Sequence, residues 1–130
     1  MKVKNSEIVD FFQKGTDIVA LKVPRRLYTA VSLNVAALQE AARVYEGQHK
    51  DILSEFAKKD DKGEFIIDKN SYVIKDTKGY GESMQDLLEV EVTAELQTVS
   101  EATLDLMEEK DKFDALTGQQ LAAIEFMIEK

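Results

Sequence analysis

Between Tyr28 and Phe56, apolar or large residues recur at alternating spacings of three and four: Tyr28, Val31, Val35, Leu38, Ala42, Tyr45, His49, Ile52 and Phe56. This spacing predicts an α-helix carrying a heptad seam of four repeats. Pro24, the only proline, stands where the pattern turns helical, and there its fixed φ and missing N–H do no damage. A helix over about residues 25–58 would be roughly 50 Å long at 1.5 Å per residue, more than a compact domain of this size accommodates. It is expected to protrude, to break near Gly47, or to be covered by another chain. Leu27, Ala30, Ala37, Ala41, Val44 and Leu53 flank the seam, so the apolar stripe is wide enough for burial against at least two other elements.

The remaining elements are shorter. Asn5 or Ser6 followed by Glu7, with Ile8, Phe11 and Phe12 on one face, predicts a first helix stopped at Lys14-Gly15. Thr16–Val23 has no clear period and is read as an extended connector. After the charged turn at 58–63, the runs Phe65-Ile66-Ile67 and Tyr72-Val73-Ile74, on either side of a four-residue Asp68-Lys69-Asn70-Ser71 turn, predict a β-hairpin near 64–75. Gly79-Tyr80-Gly81 reads as a flexible connection before a short helix at Met84, Leu87 and Leu88. Val90 and Val92 alternate with Glu89 and Glu91, a candidate third strand beside the hairpin. Thr117-Gly118-Gln119-Gln120 fits a capping box for a last helix running almost to the end. The expected fold is a single domain over residues 1–130, mostly α (α+β), with a long central helix packed against short helices and a small antiparallel β element.

Composition narrows the chemistry. The chain of 130 residues has no cysteine, which excludes disulfides, thiolate metal sites and cysteine nucleophiles. With no long apolar stretch and no leader-like start, a cytoplasmic protein without membrane contact is expected. The net charge of −8 is uneven: +3 over residues 1–26, −1 over 27–79 and −10 over 80–130. Phosphate backbones would repel that last third, so direct nucleic-acid binding is disfavoured. An acidic surface for a basic partner, or one imitating nucleic acid, is the sharper alternative to a solvated face.

Catalytic signatures are weak. His49, the only histidine, holds a seam position and is expected to be buried and hydrogen-bonded in a helix interface. With Gly63 placed at the invariant glycine of a calcium loop, the first, fifth and twelfth ligand positions become Lys58, Lys62 and Lys69, which cannot coordinate calcium. Gly79-Tyr80-Gly81 lacks the lysine and third glycine of a nucleotide loop. No metal or cofactor is therefore expected. Lys22, Arg25 and Arg26 form the one compact basic cluster. Cations at a helix start oppose the helix dipole, so local stability does not explain them; solvated charge is the default reading, and a contact with an acidic partner, such as the acidic last third of a neighbouring copy, the sharper one.

In the order of its segments the chain resembles a loosely defined group of small bacteriophage proteins. The likeness rests on Met1-Lys2-Val3-Lys4-Asn5 before a short helix, Lys22-Val23-Pro24 leading into a long one, Tyr45-Glu46 within it, residues 58–63, the run Leu87-Leu88-Glu89-Val90-Glu91-Val92, and Leu116-Thr117 before the closing helix. It implies a phage or prophage origin, in the host cytoplasm or the virion, and carries over no functional residue. The leading expectation is a non-catalytic phage-type interaction or assembly protein that self-associates, as a homo-oligomer, or docks on a host or virion protein. Its interface would be Tyr28, Val31, Val35, Leu38, Tyr45, His49, Ile52 and Phe56. The alternative is an acidic inhibitor that takes the nucleic-acid site of a host protein.

Overall fold

A computed structural model describes residues 1–130, and its axis is the helix the heptad spacing predicts. Helix α2 (Arg25–Phe56) runs 32 residues without a break. Pro24, at φ −55° and ψ 145°, caps its start, and its carbonyl accepts from the N–H groups of Leu27 (3.0 Å) and Tyr28 (3.1 Å). Gly47 does not interrupt the helix; it faces open space. Leu27, Val31, Asn34, Leu38 and Tyr45 mark the buried face, a row at helical spacing. Leu27, Val31 and Leu38 share one core with Val3, Ile8, Phe11, Ile18, Ile124 and Met127. Burying each such aliphatic or aromatic side chain contributes about 1.5–3 kcal/mol, and the core thus joins both ends of the chain to the first half of α2.

The N-terminal segment opens with a strand the sequence pattern did not reveal, β1 (Lys2–Lys4), and continues into α1 (Asn5–Asp10). The helix cap is Lys4, ahead of both expected residues, Asn5 and Ser6. Its N–H donates to the Glu7 carboxylate at 3.0 Å, while the Asn5 side chain is engaged elsewhere, donating to the Leu87 carbonyl at 2.9 Å. A π turn (Phe11–Gly15) and a 3₁₀ turn (Thr16–Ala20) follow. The extended connector expected at Thr16–Val23 is thus helical over its first five residues. A single 3₁₀ turn seats Ile18 fully in the core and leaves its neighbour Val19 exposed, which explains why the apolar residues there show no period.

After α2 the chain returns as a ribbon. Strands β2 (Ile67–Asp68) and β3 (Ser71–Tyr72) pair antiparallel across Lys69 and Asn70, both at positive φ (51° and 66°), so the turn has two central residues rather than the four expected. Lys58 lies against both arms: its N–H donates to Val73 (2.7 Å) and its carbonyl accepts from Ile66 (3.0 Å). Helix α3 (Thr77–Glu89) then packs on the second half of α2. It absorbs Gly79-Tyr80-Gly81, which is not a flexible connection: Gly79 N–H donates to the capping Asp76 carboxylate at 3.0 Å.

Strand β4 (Glu91–Thr93) forms as the alternation predicts, yet it pairs antiparallel with β1 and not with the hairpin, in the register Lys2↔Thr93, Val3↔Val92, Lys4↔Glu91. Strand β5 (Val99–Ser100), helix α4 (Glu101–Glu109), helix α5 (Gly118–Ala123), a 3₁₀ turn (Glu125–Met127) and β6 (Ile128–Glu129) complete the chain, with β6 parallel to β5. The Thr117 capping box is present, with bonds of 3.0 and 3.1 Å to Gln120. The last helix is shorter than expected: it ends at Ala123, and the chain then turns so that Ile124 and Met127 reach the core and Ile128 joins β5. The fold is mostly α, with three two-stranded β pairs.

Candidate interaction surfaces

The expected interface along the seam is largely spent inside the chain. Val31 and Leu38 are fully buried and Tyr45 is 7% exposed. Val35, His49, Ile52 and Phe56 are half-buried, and Tyr28 alone is exposed. The reason is geometric: α1, the 3₁₀ turn and α3 pack onto this face of α2. The overlong helix therefore finds its cover within the same chain, and the Phe56 ring at its far end meets Tyr80 of α3 edge-on at 6.4 Å. His49 stacks on Tyr45 with ring centres 5.9 Å apart, rather than being buried and hydrogen-bonded as expected. Burial raises the Tyr45 phenol above its ordinary pKa, and the nearby Glu46 and Tyr80 raise it further.

A different sector of α2 remains open. Ala37, Ala41 and Val44, flanking residues expected to be buried, line a groove of about 440 Å³ together with Tyr45 and Gln48 on one wall and Val90, Val92, Thr93 and Ala94 on the other. The groove is mainly apolar, and Val44 on its helix side and Val90 on its strand side are among the large apolar residues that solvent reaches. At its rim the exposed Glu40 carboxylate accepts from both Nε and Nη2 of Arg43, and that hydrogen-bonded pairing holds it below the usual carboxylate range. Asn5 fixes the groove's end: its side chain and backbone N–H bond to Leu87 and Val90 carbonyls, each at 2.9 Å, tying α1 to the exit of α3.

The strand wall has an unused edge. Ala94 N–H donates to the Met1 carbonyl (3.0 Å), and Asn5 N–H to that of Val90 (2.9 Å). Hydrogen-bonded pairs alternate along an antiparallel ladder, so Val92 turns its backbone toward Val3 of β1. The backbone groups of Glu91 and Thr93 point the other way, where no strand lies. The signal for this edge was available as the Glu89–Thr93 alternation, but the partner of the strand was not.

The basic cluster divides. Arg25 and Arg26 line a polar cleft of about 410 Å³ with Thr29, Thr98, Ser100, Thr103 and Glu129. The ion pairs of the chain are Glu40–Arg43 and Glu125–Lys130, so neither arginine is neutralised by a contact. Lys22 is not part of this cleft; its backbone N–H donates to the Asp114 carboxylate at 2.8 Å and its carbonyl accepts from Asp114 N–H at 2.8 Å.

Two further residues are explained by structure alone. Asn34, fully buried in α2, donates from Nδ2 to the Gln97 carbonyl (2.9 Å) and accepts at Oδ1 from Gln97 N–H (2.7 Å). It pins the connection from β4 to β5 against the helix, and the sequence signal for it was its place on the apolar stripe, three residues after Val31 and four before Leu38. Asp60 uses Oδ1 to accept from the N–H groups of Lys62 (2.9 Å) and Glu64 (3.0 Å), which is turn chemistry. No three His, Asp or Glu side chains gather closely enough to hold a metal ion, and no helix is long and apolar enough to cross a membrane. Compared with known proteins, the chain matches no family model, no curated protein and no solved structure.

Proposed function

We propose that this chain is a non-catalytic interaction protein that binds another protein through the groove between α2 and β4. The observation that carries the reading is the contrast between two faces of one helix: the heptad seam is covered in large part by the chain's own elements, while Ala37, Ala41 and Val44 look into an open apolar groove. Alanines let a partner backbone approach closely, and the surrounding valines offer area to bury. Self-association through the seam loses its surface under this reading, and a partner other than a second copy takes its place. The resemblance in segment order to small bacteriophage proteins is in keeping with a virion or host protein as that partner.

The test is site-specific photo-crosslinking in the cells that naturally make the protein. A photoreactive residue at Ala37 or Val44 should join one defined protein, whereas the same residue at Gln39, exposed on another side of α2, should not. Crosslinks no stronger at the groove than at Gln39 would contradict the reading.

A second reading, an acidic face that occupies a nucleic-acid site on a host protein, is favoured by one feature. Glu101, Asp105, Glu108 and Glu109 are all exposed and fall at near-helical spacing along α4, and like charges so placed cost local stability. Asp105→Lys with Glu108→Lys should then abolish partner binding at low salt. Unchanged binding would leave that row as solvated surface.

A further inference from the structure

We infer that the free edge of β4 receives an extended segment of the partner in which basic residues alternate with apolar ones. This rests on the groove reading above and names what enters it. Three observations combine. First, the backbone N–H and carbonyl groups of Glu91 and Thr93 face away from β1, and such an edge is a template for an added strand. Second, the side chains of Val90, Val92 and Ala94 share one face of β4 by strand alternation and line the groove with Ala37, Ala41 and Val44. An added strand would therefore send alternate side chains under α2. From Ala37 to Gln48, α2 covers about 16 Å at 1.5 Å per residue, which is the length of about five strand residues at 3.3 Å each.

Third, the charge is one-sided. The opposite face of this stretch carries Glu91, Thr93 and Glu95, all exposed, with Glu89 exposed at the end of α3 just before it. On the edge already filled, β1 answers it with Lys2-Val3-Lys4, placing Lys4 across from Glu91 and Val3 across from Val92. The chain itself thus shows which pattern β4 accepts, and the second edge presents the same residues. Opposite charges directly across strands stabilise the pairing. A second copy of β4 fits poorly: antiparallel pairing about Thr93 sets Glu91 against Glu95 on both sides of the centre.

The experiment titrates the full chain against a labelled seven-residue peptide of alternating lysine and valine and against its glutamate–valine counterpart, read by fluorescence anisotropy. The lysine peptide is expected to bind at least tenfold more tightly than the glutamate peptide. Thr93→Pro removes an outward N–H without touching the β1 ladder and should weaken binding at least tenfold. Ala37→Arg, at an exposed helix position, should do the same by filling and charging the groove. Circular dichroism melts of both variants are run alongside, and Ala37→Arg decides if Thr93→Pro melts early. Equal binding of the two peptides, full binding by Ala37→Arg, or no binding at all would overturn the inference, as would a two-chain mass for the free protein that Thr93→Pro returns to one. Crosslinks at Ala37 and Val44 that persist when the peptide fails would leave the groove reading standing and discard only the strand.

Discussion

Asn34 shows how much one side chain fixes. It is polar and wholly enclosed, and its amide completes both the donor and the acceptor of one backbone residue, Gln97. Asn34→Ala would strand those backbone groups and open a cavity, so a loss of about 2–4 kcal/mol is expected in denaturant unfolding; a loss under about 0.5 kcal/mol would show that the connection from β4 to β5 holds without it. Tyr45 adds a pH dependence. An unfolded tyrosine ionises near pH 10, and in the fold burial raises that value, helped by Glu46 and Tyr80. The unfolded chain therefore releases its proton first. The Tyr45 contribution is complete below about pH 10 and is lost as pH rises through the folded-state value. Tyr45→Phe should lower the fall in Tm between pH 8 and pH 11 relative to the parent chain, with lysine titration common to both; equal falls would remove Tyr45 as a cause.

At the scale of elements, two glycines in helices predict opposite outcomes. Gly47 sits mid-helix with nothing within 4 Å of an added Cβ, so Gly47→Ala should stabilise by about 1 kcal/mol. A Cβ on Gly79 would press on the capping Asp76 and lie 2.7 Å from the Phe56 ring, so Gly79→Ala should cost about 1–3 kcal/mol through overpacking. Thermal melts of the two variants check both signs. The same contrast shows what the sequence made legible. Both glycines interrupt a pattern, and only packing against Phe56 tells a spacer from a close approach. Helix α2 was readable because its apolar period persists for four heptads and Pro24 marks its start. The Thr117 capping box was readable because it is local. The pairing of β4 with β1 was not, since three residues, Lys2-Val3-Lys4, carry too little pattern to announce a strand and their partner lies almost the whole chain away. The hairpin was found, but its turn was set too wide because Lys69 and Asn70 lack the glycine that usually signals positive φ.

At the scale of the molecule, the heptad spacing predicted a helix, which forms, and an interface, most of whose residues the fold covers at least in part within one chain. A seam at 3.5-residue spacing records only that a face is apolar; it does not say whether the cover comes from the same chain. Here α1, the 3₁₀ turn and α3 supply it, while of the flanking residues Ala37 and Val44 are exposed and half-buried Ala41 lines the groove beside them. Arg25 and Arg26 likewise stood out in sequence, but their company of hydroxyl side chains from residues 98–103 required the fold. The central claim is that the seam is covered in large part and the groove open. Light scattering after size exclusion at about 50 and 500 mM salt tests it most directly, because burial of the seam by a second copy would be apolar and insensitive to screening. The account predicts the mass of one chain at both salt concentrations; a dimer or larger assembly that persists at 500 mM would contradict it and return the seam to an interface.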